Sequence, residues 1–120
     1  MRGHTIELVV EHPRDAEELA LAFPRTMVFS GDARDPDVLT QARVADADCL
    51  IAVTPDDATN LSVCLLAREA FGVGTVAGLA THPSHVRVFD ALGIPCVSSN
   101  EIVVGEVLST VGHHLGVRVV

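Results

Sequence analysis

The sequence predicts an α/β fold: a Rossmann-like parallel sheet of about five strands with helices on both faces. Three observations predict it. Short β-branched runs alternate with helix-forming stretches along most of the chain. The connections between them are only a few residues long, which suits strand–helix–strand units wound in one sense. The run Cys49-Leu50-Ile51-Ala52-Val53 is apolar at every position, as in a strand covered on both faces.

The elements follow in order. Thr5-Ile6-Glu7-Leu8-Val9-Val10 reads as a strand, ended by Glu11-His12-Pro13. Pro13 suits a first helical turn, so a helix is expected over 14–22, stopped by Pro24. Thr26-Met27-Val28-Phe29 is a second strand. Asp35-Pro36 starts a short helix running to Ala42, with Asp as cap and Pro at the first position. The turn Asp46-Ala47-Asp48 precedes the Cys49 strand. Thr54-Pro55-Asp56-Asp57 then opens the longest helix, expected from about Ala58 to Phe71 and ended by Gly72. Its apolar residues cover most of its circumference, which predicts that it is largely buried. Thr75 to Leu79 is a fourth strand. A helix opened by Thr81-His82-Pro83 runs to Leu92, where Gly93 stops it. Ile94 to Val97 is a short fifth strand. Ser98 and Glu101 have capping-box spacing ahead of a last helix, expected from Asn100 to about His113. The tail Gly116-Val117-Arg118-Val119-Val120 is β-like, and reads equally as a further element or a frayed end.

With 120 residues, one domain over 1–120 is expected, long enough to bury a core without disulfides or metals. Hydrophobic residues make up 48% of the chain, which excludes a disordered protein, yet no run is long enough to cross a membrane. No signal peptide is visible, so a cytoplasmic protein with no direct membrane insertion is expected. The net charge is −8, which repels phosphate backbones at long range and argues against a nucleic-acid partner. Cys49, Cys64 and Cys96 are odd in number, far apart and set among apolar residues; buried reduced thiols are expected.

In such a sheet, ligands sit beyond the carboxyl ends of the strands. The residues placed there are Glu11-His12, Gly31-Asp32-Ala33, Thr54-Pro55-Asp56-Asp57 and Ala80-Thr81. A carboxylate just past the second strand of a dinucleotide fold accepts hydrogen bonds from ribose hydroxyls. Glu11 fits that role if Thr5–Val10 is that strand. By position alone it fits equally well as a solvated acid before a helix. Asp56-Asp57 serve as helix caps more simply than as magnesium ligands. His82, His85, His113 and His114 are expected to be ordinary surface histidines, with no metal site. No serine lies in a nucleophile-elbow pattern, and no acid–base or nucleophilic group stands out beyond isolated histidines, so no enzyme activity is expected.

Four segments carry a more specific signal. They are Leu8 to Ala20; Gly31-Asp32-Ala33-Arg34-Asp35-Pro36-Asp37-Val38-Leu39; Ala47 to Leu61, including Ile51-Ala52-Val53-Thr54-Pro55-Asp56-Asp57; and His82-Pro83-Ser84-His85 with Leu92-Gly93-Ile94. In order and spacing, from Gly3 to about Val104, they resemble the TrkA-N (RCK-type) domains of bacterial potassium-uptake regulators. The resemblance implies a regulatory, nucleotide-sensing domain of a potassium channel or transporter system, with NAD(H) or an adenine nucleotide as ligand. It implies a homodimer, or a ring, working with a membrane subunit at the inner face of the plasma membrane. Carried over by position, Glu11 would hold ribose hydroxyls, Asp32 and Ala33 would flank the adenine, and Thr54 would face the ribose or phosphate. Asn60 is expected to have a capping or packing role. A fragment of a Rossmann-type NAD(P)-dependent oxidoreductase and a ligand-free dimerisation module are the alternatives.

Two departures from the family pattern matter. The opening strand and G-x-G-x-x-G turn are not present, and Gly72-Val73-Gly74 with Gly78 has the wrong spacing and precedes a strand. Gly78-Leu79 also stands where the family often has an arginine. Both departures remove phosphate-binding groups. In the strand order 3-2-1-4-5-6 the strand not accounted for is the central one. Three explanations are open: a start that is misassigned or cut, a strand supplied by another chain, or a sheet closed up with Thr5–Val10 beside Cys49–Val53; for a chain that folds alone, the closed sheet or a strand-swapped dimer is expected.

Overall fold

In a computed structural model that describes residues 5–97 and 116–120, the alternation becomes six strands and four α-helices among the described residues. The strand β1 (Thr5–Val10) leads into α1 (Pro13–Ala22), and β2 (Met27–Ser30) into α2 (Pro36–Gln41). The strand β3 (Cys49–Ala52) leads into α3 (Asp57–Leu65), and β4 (Thr75–Leu79) into α4 (Pro83–Ala91). β5 (Cys96–Val97) and β6 (Gly116–Val119) complete the set. The helix expected from Asn100 to about His113 lies outside the described residues.

Local chemistry sets most boundaries. Pro13, Pro36 and Pro83 each occupy the first turn of a helix. There the missing N–H has no partner to lose. The side chain of Asp35 accepts a hydrogen bond from the Asp37 amide at 2.9 Å and so caps α2. Gly93 follows α4 in the left-handed region, with φ 70°, a conformation that costs glycine little. The long helix is shorter than expected. After Leu65 it widens into a π-type turn over Leu66–Ala70, closed by a bond from Phe71 N to Leu66 O. It is also less buried than its composition suggests. Val63, Cys64 and Ala67 are buried, Leu61, Leu65 and Leu66 only partly so, and Ala70 is exposed.

All strand pairs are parallel, in the order β2-β1-β6-β3-β4-β5. The sheet therefore does not close up with β1 beside β3. The C-terminal strand β6 lies between them, with Glu7 opposite Arg118 on one side and Leu50 opposite Arg118 on the other. It stands in the place that the first strand holds in the 3-2-1-4-5-6 order, so a strand borrowed from a second copy is not required. Hydrogen bonds from Val120 N to Ile51 O and from Val53 N to Val120 O continue the pairing past the strand end. Parallel pairing needs a crossover of a dozen or more residues, and residues 98–115 supply the length between β5 and β6.

β3, next to β6, is buried along its whole length, as its unbroken apolar run predicts. Leu39, Val44, Leu50, Val63, Phe89 and Ile94 form the centre of the core around it. Two charged side chains are buried among the described residues, Asp57 at the start of α3 and Arg118 in the middle of the sheet. Arg118 is 5% exposed. It donates to Ala42 O at 2.8 Å and Arg43 O at 3.2 Å, and its Nε lies 3.2 Å from Glu7 Oε2. The contact with Glu7 is an ion pair without hydrogen-bond alignment, since the Nε hydrogen is directed at Ala42 O and Glu7 Oε2 accepts no hydrogen bond. Cys49 and Cys64 are buried free thiols, pushed by burial up to about 11 and about 12 respectively; Cys96 is half-buried.

Candidate functional site

The carboxyl ends of β1, β2 and β3 open onto one cleft of about 260 Å³. Glu11, one residue past β1, lines it. So do Gly31, Asp32 and Ala33 from the turn after β2, and Thr54 from the turn after β3. The structure thus brings together every residue singled out from the sequence as a ligand contact. They meet because three parallel strands end at one edge, so that the first residues beyond each share a crevice.

The turn after β2 is held by a local ion pair. Arg34 Nε donates to Asp32 Oδ1 at 3.0 Å and Nη2 donates to Oδ2 at 2.8 Å, while the Arg34 backbone N–H also donates to Oδ1 at 2.9 Å. These bonds hold the Asp32 carboxyl below its ordinary range, the guanidinium contributing most. Gly31 donates its N–H to Val10 O, tying the turn to β1.

The turn after β3 is fixed by Asn60, which is fully buried in the first turn of α3. Its Oδ1 accepts from Thr54 N at 2.9 Å and from Thr54 Oγ1 at 2.7 Å. Its Nδ2 donates to Thr54 O at 2.9 Å and to Leu79 O at 3.0 Å. All of its polar capacity is used, so Asn60 positions Thr54 at the cleft wall and does not reach a ligand itself. This is the packing role expected for it. Asp56 caps α3: Oδ2 accepts from Thr59 N at 3.0 Å and from the Thr59 hydroxyl. The hydroxyl first and the amide second hold the Asp56 carboxyl below its ordinary range.

Asp57 does something the sequence did not suggest. It is 6% exposed and reaches away from the helix start to the turn after β4. It accepts from Thr81 N at 2.8 Å, Thr81 Oγ1 at 3.1 Å, His82 N at 3.3 Å and His85 Nδ1 at 2.8 Å. Burial pushes its pKa up, but the bond from His85 and those from Thr81 and His82 outweigh that and bring it to about 2. His85 is therefore partnered, while its ring stays half exposed. Among the described residues, no group of three or more His, Cys, Asp or Glu side chains is arranged to hold a metal ion.

Reasoning from sequence missed Arg34 and Thr59 as cleft walls, while His12, Asp57, Ala80 and Thr81, expected at the same end of the sheet, do not line it. A signal was available for Arg34, which lies two residues beyond the expected contact Asp32 in a tight turn.

Comparison with known proteins gives a consistent picture. The family model described as the TrkA-N domain matches residues 1–100. The Trk system potassium uptake protein TrkA of Streptomyces coelicolor is 33% identical over 98 residues, covering 82% of this chain and 44% of that protein. The protein of the same name from Azorhizobium caulinodans is 35% identical over 105 residues, covering 86% of this chain and 23% of its own length. The chain thus spans less than half the length of these relatives. Among solved structures, the GsuK channel matches with a TM-score of 0.65 at 22% identity, over 81% of this chain and 21% of that one. The GsuK channel bound to NAD matches equally well, a likeness of fold. No described helix is long and apolar enough to cross a membrane.

Proposed function

The chain belongs to the TrkA-N domain family, and on that premise we propose that it is a regulatory domain sensing an adenine-containing ligand for a potassium-transport system. One observation carries the reading: Glu11, Asp32, Ala33 and Thr54 line a single crevice at the carboxyl edge of a parallel sheet. In this reading Glu11 accepts hydrogen bonds from ribose hydroxyls, Asp32 and Ala33 flank the base, and Thr54 faces the ribose. The relatives are named as potassium uptake proteins, and a structural neighbour is the GsuK channel bound to NAD. These support a membrane channel or transporter subunit as partner; a homodimer as the working unit and a site of action at the inner face of the plasma membrane are part of the same proposal. The reading makes the domain a sensor whose ligand shifts a conformational equilibrium, with no bond made or broken.

Thermal-shift titration with adenosine, AMP, ADP, ATP, NAD and NADH tests it. At least one is expected to raise Tm in a concentration-dependent way, by linkage to the folded state. Glu11→Gln is expected to weaken that ligand about tenfold, through the loss of a hydrogen bond to a charged acceptor. A Tm unmoved by all six compounds refutes the reading.

A further inference from the structure

The crevice has two walls, and they belong to different halves of the sheet. One wall, with Glu11, Asp32 and Ala33, follows β1 and β2. The other, with Thr54, Asp56 and Thr59, follows β3 and opens α3. Among the described residues, no strand of the first half pairs with a strand of the second. β1 pairs with β2 and β6, and β3 pairs with β4 and β6. All backbone pairing across the floor of the crevice therefore passes through β6, although no residue of β6 lines it.

The carboxyl end of β6 reaches the backbone on which the site is built. Val120 is 6% exposed and shares a buried cluster with Val9, which lines the crevice. Its amide donates to Ile51 O at 2.9 Å, and its carbonyl accepts from Val53 N at 2.8 Å. Thr54 is thus held from two directions. Asn60 binds its amide, hydroxyl and carbonyl, and Val120 holds the residue before it. On the other side, Val119 lies opposite Leu8 in the strand that leads to Glu11.

From this arrangement, and resting on the adenine-site reading above, we infer that β6 positions the two walls for the ligand, and that ligand occupancy and the seating of β6 are coupled. A ligand that touches both walls ties the halves together at the spacing β6 sets. With β6 displaced, the chain through α2 still links the halves, but no hydrogen-bonded neighbour fixes their separation. Glu11 and Thr54 then no longer face one ligand, so only the seated state binds. By reciprocity the ligand favours seating by the same factor by which seating favours the ligand. Occupancy is thereby reported by a strand that the ligand does not touch.

Native-state hydrogen exchange of the full chain, followed amide by amide by NMR, tests the coupling. The probe is whichever of adenosine, AMP, ADP, ATP, NAD and NADH binds in titration. The hydrogen bonds of the Val53 and Val120 amides continue the β3–β6 pairing. The Val73 and Ile94 amides, bonded to Ala67 O and Phe89 O in buried parts of the second half, are the controls. Without ligand, Val53 and Val120 are expected to exchange about tenfold faster than the controls, through an opening of β6 alone. At a free ligand concentration of about 100 Kd they are expected to slow about a hundredfold. Exchange at Val53 and Val120 that a bound compound leaves unmoved overturns the inference and keeps the adenine site. Exchange in step with the controls before ligand is added also overturns it, because β6 then has no equilibrium of its own. Binding by none of the six compounds removes the adenine site itself, and the inference with it.

Discussion

Replacing Arg118 by methionine removes a guanidinium from the interior and keeps most of the side chain's volume. The guanidinium has three partners: Glu7 at 3.2 Å, Ala42 O at 2.8 Å and Arg43 O at 3.2 Å. The side chains of Arg118 and Glu7 are 6% and 12% exposed, so solvent cannot replace what is lost. Breaking a buried pair by removing one partner costs about 3–5 kcal/mol, mostly for the charge left behind. Ala42 O loses its donor and adds about 1 kcal/mol, while Arg43 O keeps the Asp46 amide. The expected total of about 4–6 kcal/mol approaches the whole stability of a domain this size. In urea denaturation followed by circular dichroism, the midpoint should fall by roughly 2 M or the variant should be unfolded in buffer. The double variant Glu7→Leu/Arg118→Met removes both charges and should recover at least half of the loss. A fall of less than about 1 kcal/mol for Arg118→Met, or a double variant no more stable than the single one, refutes the claim that this pair holds β6 in the sheet.

Three further outcomes are expected. A Cβ at Gly78 would lie 2.5 Å from Phe89 Cε2 and 3.3 Å from Cys64 Sγ, both in fully buried side chains. Gly78→Ala should therefore lower stability by about 1–3 kcal/mol in the same denaturation assay. Asn60→Ala leaves the Thr54 amide and the carbonyls of Thr54 and Leu79 without their partner. It should cost about 2–4 kcal/mol and weaken any cleft ligand, measured by titration of the folded fraction. The Asp57 carboxyl is lowered from 3.8 to about 2 in the fold. Its contribution is fully present above the unfolded value and disappears as pH falls from about 4 to about 2, where both states become protonated. Solvent at the exposed His85 ring screens part of it, leaving about 1–2 kcal/mol. Asp57→Asn should remove that part of the acid-side slope of stability against pH.

Much of the architecture could be read before any coordinates, because punctuation in the chain is local chemistry. Pro13, Pro36 and Pro83 mark helix starts, and Asp35 and Asp56 cap them, with information carried by neighbours one to four residues away. The cleft residues were legible for a related reason: each lies immediately past a strand, and parallel strands end together. What could not be read was set by partners far along the chain. The tail Gly116 to Val120 has the composition of a strand but carries no mark of which strands it lies between. Its slot follows from contacts with β1 and β3, over a hundred and more than sixty residues away in sequence. Arg118 is by type a surface residue, and only its distant partners make it an interior one. Asp57 looked like a second helix cap because its bonds run to residues 24 to 28 positions on. The over-read burial of the long helix has a plainer cause. An apolar circumference shows what can be buried, and the core here needed one side of it.

The position of β6 has a consequence for how this molecule is made. A ribosome delivers residues in order, so β1 with β2 and β3 with β4 and β5 exist as two separate ribbons while the middle of the sheet is still to be synthesised. Until residues 116–120 emerge, each ribbon carries a bare inner edge able to pair with any strand it meets. Closure is then a single long-range event that zips both edges at once, and such non-local pairings are the slow ones. Within this span, the segment 116–120 is the keystone on which the joining of the two ribbons waits.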